Sequence, residues 1–258
     1  ENLGKNYTFK TTLLTDGEFI NGRLDGNLFL IGGADPSLIT KDLIGAVTYL
    51  KEKGIKEITG DFFYSSEVIP EFLTIDPSQL PQESYNPGFS GLNLNNNKIL
   101  FSWFKKGNEY DLSLGTRALK SKNAFFNISI FVETKANNAF NYLSNSKNRI
   151  EKWTVIRKIL GKNGARWLPV RFSSTYTSFA LYKLFVKNQI SVPVPRRLQE
   201  NISGLKVVSN HKSNKLSVIL KKMLDDSSNV TAEIIGVFVA NLWGIPYPKN
   251  FVIRNGNE

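Results

Sequence analysis

One strand–helix–strand run constrains the fold more than any other feature of this sequence. Asn27–Ile31 is a short apolar segment typical of a buried strand, and Ile55–Tyr64 is the next segment of that kind. Between them Thr40 is placed to cap a helix that runs to Lys53, and Gly54 is its stop. Because such connections are right-handed, the run predicts a βαβ-like unit within a mixed α/β fold.

A glycine-rich turn follows the first of these strands, with the sequence Gly32-Gly33-Ala34-Asp35-Pro36. Such a turn ahead of a helix can bind phosphate through its backbone N–H groups. This one lacks the Lys-Ser/Thr of a P-loop and the third glycine of a dinucleotide site. Asp35 would also place negative charge where an anion would sit, so the sequence favours a structural turn.

The rest of the chain alternates between strand and helix patterns. Residues 7–14 alternate in polarity and are rich in threonine and aromatic residues, which predicts a strand. Ile99–Phe104 and Phe125–Val132 predict further strands and thus a small β-rich module. Arg149–Leu160 and Ser174–Asn188 carry apolar residues at helical spacing, and both are predicted to be helices.

Composition limits the classes of function. The chain has 258 residues, 41% of them hydrophobic, and no apolar run approaches the roughly 20 residues of a membrane helix. The absence of cysteine excludes disulfides and thiolate metal sites, and the single histidine argues against a histidine metal cluster, so no metal or cofactor is predicted. The net charge of +11 suits nucleic acid, an anionic membrane or an anionic wall polymer, although the basic residues occur in pairs, as on an ordinary solvated surface.

Two apolar helical patterns meet at a short polar break late in the chain. The first pattern aligns Leu216, Ile219, Leu220, Met223 and Leu224, and the second aligns Ala232, Ile235, Val239 and Leu242. The break places a hydroxyl and an amide two residues apart, at Ser227 and Asn229. Such residues cap helices and form turns, but in a cleft the same pair could transfer protons and bind a substrate amide. The pattern alone leaves both interpretations open.

A nucleophilic serine would need a base, for which histidine and lysine are the usual choices. His211, the only histidine, lies in a polar stretch that predicts a solvated loop before a helix. Four serines precede a lysine by three residues, at Ser102, Ser144, Ser203 and Ser209. A useful pair should open a helix, and none of the four is predicted to do so.

Several stretches, taken in order, resemble the class C low-molecular-mass penicillin-binding proteins. They are Leu28–Leu38, Gly54–Asp61, Tyr85–Asn95, Arg166–Arg171 and Leu216–Glu233. These proteins are D-alanyl-D-alanine carboxypeptidases and endopeptidases of the bacterial cell wall. The resemblance implies a penicillin-recognising, serine transpeptidase-like domain interrupted by an α/β insertion with a β-rich subdomain. It also implies peptidoglycan peptide stems as substrate, β-lactams as inhibitors and a periplasmic or extracytoplasmic location.

The family uses three motifs, and the resemblance assigns one of them here. Ser227-Ser228-Asn229 is similar to the family's Ser-x-Asn motif, which implies that Ser227 relays a proton and that Asn229 binds the substrate amide. Tyr85 is similar to the tyrosine that lines the family's cleft. No suitable Ser-x-x-Lys and no Lys-Thr-Gly is found, and Lys10-Thr11-Thr12 lacks the required glycine.

These departures predict a fragment that is inactive by itself, from an enzyme with an acyl-serine intermediate. The chain begins at Glu1 without a signal peptide, which agrees with that expectation. The predicted catalytic parts are residues 1–24 and 200–258, the predicted α/β insertion is 25–91 and 146–199, and the predicted β-rich subdomain is 92–145. The alternatives are a non-catalytic peptidoglycan-binding relative and a basic nucleic-acid-binding protein.

Overall fold

A computed structural model describes residues 3–116, 118–122, 124–135, 138–199 and 203–245. It confirms a mixed α/β fold. The first half contains β1 (Lys10–Thr15), β2 (Glu18–Ile20), β3 (Arg23–Asp25), β4 (Leu28–Gly32), α1 (Thr40–Glu52), β5 (Glu57–Ile58), β6 (Phe62–Ser65), β7 (Lys98–Lys106) and β8 (Glu109–Gly115). The second half contains β9 (Lys120–Lys122), β10 (Ala124–Phe125), β11 (Ile128–Glu133), β12 (Phe140–Asn145), β13 (Ile150–Ile156), β14 (Asn163–Pro169), α2 (Ser173–Lys187), β15 (Arg196–Arg197), β16 (Lys206–Lys212), α3 (Leu216–Asp225) and α4 (Asn229–Leu242).

The predicted βαβ unit lies in a five-stranded sheet with the order β15-β6-β4-β1-β16. Strands β4 and β6 are parallel neighbours joined through α1, while β1 is antiparallel to both β4 and β16. Leu28, Phe62 and Leu43 are buried where the sheet meets the helices. The prediction of Thr40 as helix cap is wrong: the cap position is Ile39, whose N–H is accepted by the Asp42 carboxylate at 2.9 Å.

The predicted strand over residues 55–64 is two strands, β5 and β6, rather than one. Gly60 lies between them, and a Cβ there would stand only 2.5 Å from the carbonyl of Gly26. This close approach bends the chain between two sheets, and only glycine tolerates it.

The glycine-rich turn is a packing device. A Cβ on Gly33 would stand 2.2 Å from the carbonyl oxygen of Lys10, so the turn lies against β1. Asp35 is buried and accepts the N–H and hydroxyl of Ser37 at 2.8 and 2.7 Å. Its carboxylate therefore organises the turn from within.

His211 does not lie in the predicted solvated loop. It belongs to β16, opposite Thr11 of β1, and its Nε2 is 3.5 Å from the buried carboxylate of Asp35. The hydrogen bond to Asp35 and the charge of Asp42 raise the pKa of His211 against the opposing effect of burial. Its immediate neighbours Ser209, Asn210 and Lys212 are polar, so the strand pairing reveals its position.

The β-rich region contains two four-stranded sheets, with the orders β10-β11-β13-β12 and β14-β7-β8-β9. The helix predicted over Arg149–Leu160 is wrong, since residues 150–156 form β13 and a 3₁₀ turn follows. Glu151, Trp153 and Val155 are buried at every second position, which is the period of a strand. The strand predicted over Phe125–Val132 is interrupted at Phe126, whose φ of 52° makes a turn between β10 and β11.

Strand pairing crosses several of the predicted domain boundaries. β1 and β16, from the predicted catalytic parts, lie in the same sheet as β4 and β6. β14 pairs with β7 along its whole length. The division at residues 24, 91, 145 and 199 stays a prediction.

Helices α3 and α4 cover a second core beside the central sheet. Leu216 and Ile219 of α3 pack with Val230, Ile234 and Phe238 of α4 against Phe9, Phe72 and Phe89. The aligned apolar residues are only partly buried: Leu224 is 73% exposed, Leu242 is 53% exposed and Ala232 is exposed. Since α4 is apolar on nearly every side, its spacing fits more than one face. No helix in the described ranges has the length and apolar character needed to cross a bilayer.

Candidate active site

A cleft of about 510 Å³ separates the α3–α4 connection from the loops that precede α1 and β7. One wall consists of residues from α3, from the connection and from the start of α4. The other wall consists of Pro36, Ser37, Ile39, Tyr85, Pro87, Asn96 and Lys98. The structure thus brings Ser227, Asn229 and Tyr85 to one cleft, although the sequence separates Tyr85 from the other two by more than 140 residues.

The chain passes from α3 to α4 through Ser227. The N–H of Ser228 donates to Met223 O at 2.9 Å, and the N–H of Ser227 donates to Leu224 O at 3.3 Å. This pair of bonds is the Schellman motif, whose turning residue is usually glycine. Here Ser227 takes the left-handed conformation, with φ of 50°.

The three polar residues of this connection have different surroundings. Ser228, and not Ser227, occupies the N-cap position of α4, and its hydroxyl is 2.9 Å from the hydroxyl of Thr231. Ser227 and Asn229 are exposed, and neither side chain has a hydrogen-bond partner among the described residues. The Ser228 hydroxyl thus bonds to a side chain and makes no capping bond to the backbone, while the Ser227 and Asn229 side chains remain available to a ligand.

Tyr85 is positioned by the asparagine that follows it. The buried Oδ1 of Asn86 accepts the N–H groups of Ile75 and Asp76 at 2.9 and 2.8 Å, and its Nδ2 donates to Asp76 O at 2.7 Å. The Tyr85 ring is 47% exposed, and its hydroxyl donates to Gln79 Oε1 at 3.0 Å. Tyr85 is consequently a cleft residue and not a core aromatic.

Two residues of the facing wall were not anticipated from the sequence. Asn96 is exposed with φ of 55°, in a run of three asparagines that are all left-handed. Asparagine tolerates this conformation better than other non-glycine residues, so the Asn95-Asn96-Asn97 run was the available signal. Lys98 is half-buried, and burial lowers its pKa. No described acidic residue forms an ion pair with it.

The charges at the other wall are paired. Lys222 Nζ lies 2.7 Å from Asp226 Oδ2, one helical turn away, and Asp226 raises the pKa of Lys222. With that pair neutralised, Lys98 leaves the cleft with one uncompensated positive charge. Such a site suits a ligand that carries both an amide and a carboxylate.

None of the four serines that precede a lysine contributes to this cleft. Ser102, Ser144 and Ser209 lie within β7, β12 and β16, and Ser203 precedes β16. None of the four therefore opens a helix, as predicted. Among the residues that the structure describes, no three His, Cys, Asp or Glu side chains form a group able to hold a metal ion.

Comparisons with known proteins identify the family of this chain. The model of the D-Ala-D-Ala carboxypeptidase 3 (S13) family matches residues 1–247. A curated relative, D-alanyl-D-alanine carboxypeptidase DacB of Haemophilus influenzae, is 39% identical over 66 residues, which cover 26% of this chain and 14% of DacB.

Solved structures show the same fold. Penicillin binding protein 4 (dacB) from Haemophilus influenzae matches with a TM-score of 0.73 and 23% identity, over 94% of this chain and 54% of that protein. A structure of the same protein complexed with a novel β-lactam matches with a TM-score of 0.66 and 23% identity, over 94% of this chain and 53% of that one. The chain therefore spans about half the length of its solved relatives. Since the family match extends over nearly the whole sequence, the chain belongs to the D-Ala-D-Ala carboxypeptidase 3 family.

Proposed function

We propose that this chain is part of a serine-type D-Ala-D-Ala carboxypeptidase or endopeptidase that acts on peptidoglycan peptide stems outside the cytoplasm. The observation that carries the proposal is the cleft, where the unbonded side chains of Ser227 and Asn229 face the same space as Tyr85. Family membership supplies the class of reaction. A relative that binds a β-lactam supports β-lactams as inhibitors of the same site.

In the proposed reaction a nucleophilic serine attacks the carbonyl carbon of the penultimate D-alanine. The peptide C–N bond breaks, the serine becomes an ester, and the serine proton passes by way of a lysine to the leaving nitrogen. The Ser227 hydroxyl relays that proton, since a hydroxyl can donate and accept at once. Water then hydrolyses the ester and releases the shortened peptide.

Asn229 holds the substrate in this scheme. Its carboxamide presents one acceptor and two donor hydrogens, which match a backbone amide of the peptide. Because Asn229 is the first residue of α4, the helix fixes its backbone while its side chain extends into the cleft. Tyr85 then covers the opposite side of the bound peptide.

The nucleophile and the Lys-Thr-Gly motif belong, in this proposal, to sequence outside the 258 residues. The sequence contains no Lys-Thr-Gly, and none of its four Ser-x-x-Lys serines lines the cleft. The predicted division into catalytic parts (1–24 and 200–258), α/β insertion and β-rich subdomain is part of the same proposal.

Acylation by fluorescent penicillin, measured on the complete protein, tests the proposal. Ser227→Ala should slow acylation by about 100-fold or more, the usual contribution of a positioned proton-transfer group. Asn229→Ala should weaken binding of the peptide substrate. Ser217→Ala is the matched control, because Ser217 is an exposed α3 serine outside the cleft lining.

Acylation by Ser227→Ala at the unaltered rate would refute the assigned role. A complete protein that binds D-Ala-D-Ala peptides but is never acylated would favour the non-catalytic peptidoglycan-binding alternative. The observation that favours this alternative is that no Ser-x-x-Lys serine of the sequence lines the cleft.

A further inference from the structure

Nearly all of the net charge of this protein resides in one stretch, residues 98–169, which we call the basic module. It contains fourteen Lys and Arg residues against four Asp and Glu residues, a net charge of +10. The other 186 residues share 19 basic and 18 acidic residues, a net charge of +1. The paired appearance of basic residues along the sequence conceals this concentration.

The module corresponds to one structural unit of the chain. Strands β7 to β14 all lie within it and form the two four-stranded sheets. The only module cations that form ion pairs with described acidic residues are Lys106, Arg149 and Arg166. Eight exposed lysines remain without such a partner: Lys105, Lys120, Lys122, Lys135, Lys147, Lys152, Lys158 and Lys162.

Five cations of the module meet at one end, which we call the basic tip (Lys105, Lys106, Arg157, Lys158 and Lys162); of these, Lys106 is paired with Asp111. The N–H of Lys105 donates to Lys162 O at 2.8 Å, which places β7 beside the start of β14. The guanidinium of Arg157 donates to Asn108 O and lies 5.6 Å from the centre of the Tyr110 ring. The Tyr110 hydroxyl in turn donates to Leu160 O at 2.9 Å. These contacts bring separate chain segments together, so the clustering follows from the fold.

Concentrated positive charge requires a reason, because like charges repel and lower the stability of a compact domain. A chain that needed charge only for solubility could distribute it evenly. Here the excess is confined to the module, and one of its cations, Lys98, lies in the cleft. The remaining exposed lysines occur on both sheets and on the turns between them, an arrangement that fits an extended ligand better than a small ion.

We propose that the basic module is a second binding surface, which holds an extended polymer bearing repeated carboxylates. Peptidoglycan, with the carboxylates of its peptide stems, is the occupant to which we commit. The identity of the polymer rests on the proposed function, whereas the existence of the surface rests on the charge distribution alone. Binding there would keep the protein on the wall while the cleft releases one peptide and takes the next.

Co-sedimentation with purified peptidoglycan sacculi tests the surface on the protein as it exists. The tip variant carries Lys105→Gln, Lys158→Gln and Lys162→Gln. The matched control carries Lys41→Gln, Lys56→Gln and Lys187→Gln, which remove the same charge from exposed positions outside the module. Both variants should fold, because all six side chains are exposed.

The tip variant should bind sacculi about tenfold more weakly at low salt, since exposed charge pairs contribute a few-fold each. The control should bind within about twofold of the unaltered protein, and added salt should weaken binding in every case. Equal losses in the two variants would overturn the proposal, because net charge and not the module would then determine binding.

Two further arms distinguish the other possible occupants. Tighter binding to duplex DNA or to vesicles containing phosphatidylserine than to sacculi, lost in the tip variant, would overturn peptidoglycan as the occupant. Ser227→Ala should bind sacculi normally. If Ser227→Ala does not slow penicillin acylation, that result contradicts the proposed function alone. Loss of sacculus binding in the tip variant would still support the basic module, because the two measurements are independent.

Discussion

The left-handed serine at the α3–α4 connection allows the backbone and the hydroxyl to be tested separately. An L-residue in this conformation costs about 1–2 kcal/mol, which glycine avoids. Glycine also increases the entropy of the unfolded chain, which costs about 0.4–1 kcal/mol. Ser227→Gly should therefore raise the free energy of unfolding by about 1 kcal/mol, while the loss of the hydroxyl should slow acylation. Ser227 would then lower the free energy of unfolding while its hydroxyl serves the reaction.

The chain supplies its own controls, because all four described helices end in the same motif. α1 and α4 end with Gly54 and Gly244, at φ of 74° and 65°. α2 ends with Gln189 at φ of 62°, where the N–H of Gln189 donates to Val186 O and that of Ile190 donates to Phe185 O, both at 3.0 Å. Gln189 does not line the cleft. Gln189→Gly should stabilise the fold to the same degree and leave acylation unchanged.

Thermal and urea unfolding measure the first effect, and fluorescent-penicillin labelling of the complete protein measures the second. A gain of about 1 kcal/mol corresponds to a rise in Tm of about 2–4 °C for a chain of this size. Ser227→Ala retains the Cβ, and Ser227 Oγ has no partner among the described residues, so its stability should match the unaltered protein. Should Ser227→Ala and Ser227→Gly prove equally stable, the strain argument is wrong. Should Ser227→Gly be acylated at the normal rate, the hydroxyl has no role.

Two further predictions concern buried groups outside the cleft lining. Burial raises the pKa of Glu151 to about 7 from its usual 4.5. The native state therefore binds this proton more tightly than the unfolded state does. As a result, the free energy of unfolding should fall by about 3 kcal/mol as the pH rises from 4.5 to 7. Glu151→Gln should remove that fall in pH-dependent urea unfolding, and an unchanged slope would contradict it. Asn86→Ala should lower the free energy of unfolding by about 2–4 kcal/mol, because it leaves the N–H groups of Ile75 and Asp76 without their acceptor. Asn86→Asp keeps the acceptor and should lose less, so an equal loss in both variants would show that these bonds contribute little.

Local patterns in the sequence predicted the βαβ unit, since a glycine stop and apolar periodicity are decided within a few residues. The helix over Ser174–Asn188 was also confirmed, apart from one residue at each end. Arg149–Leu160 was wrong because Trp153, Ile156 and Ile159 satisfy helical spacing, while Glu151, Trp153 and Val155 satisfy the alternation of a strand. Pairing with β11 and β12 decides between the two, and pairing is not a local property.

The residues of the candidate site also differ in whether a local sequence pattern predicts them. Ser227 and Asn229 could be found because the motif is continuous in sequence and interrupts two apolar patterns. Lys98 could not, because a lysine at the start of a strand looks like any solvated lysine until the fold half-buries it. The basic module has no local signal for a related reason: its basic residues are scattered along the chain, and the excess becomes visible only over a whole structural unit.

Strand β7 connects the cleft directly to the basic tip. β7 begins at Lys98 in the wall of the cleft and reaches Lys105 and Lys106 at the basic tip, eight residues further on. Seven to eight steps along a strand span about 25 Å at 3.3 Å per residue. The two proposed binding surfaces are thus about 25 Å apart on a rigid element, which is paired on both sides by β14 and β8. A polymer bound at the tip would present to the cleft only those peptide stems that lie at this fixed distance along the polymer. The length of β7 would therefore determine which stems the cleft binds.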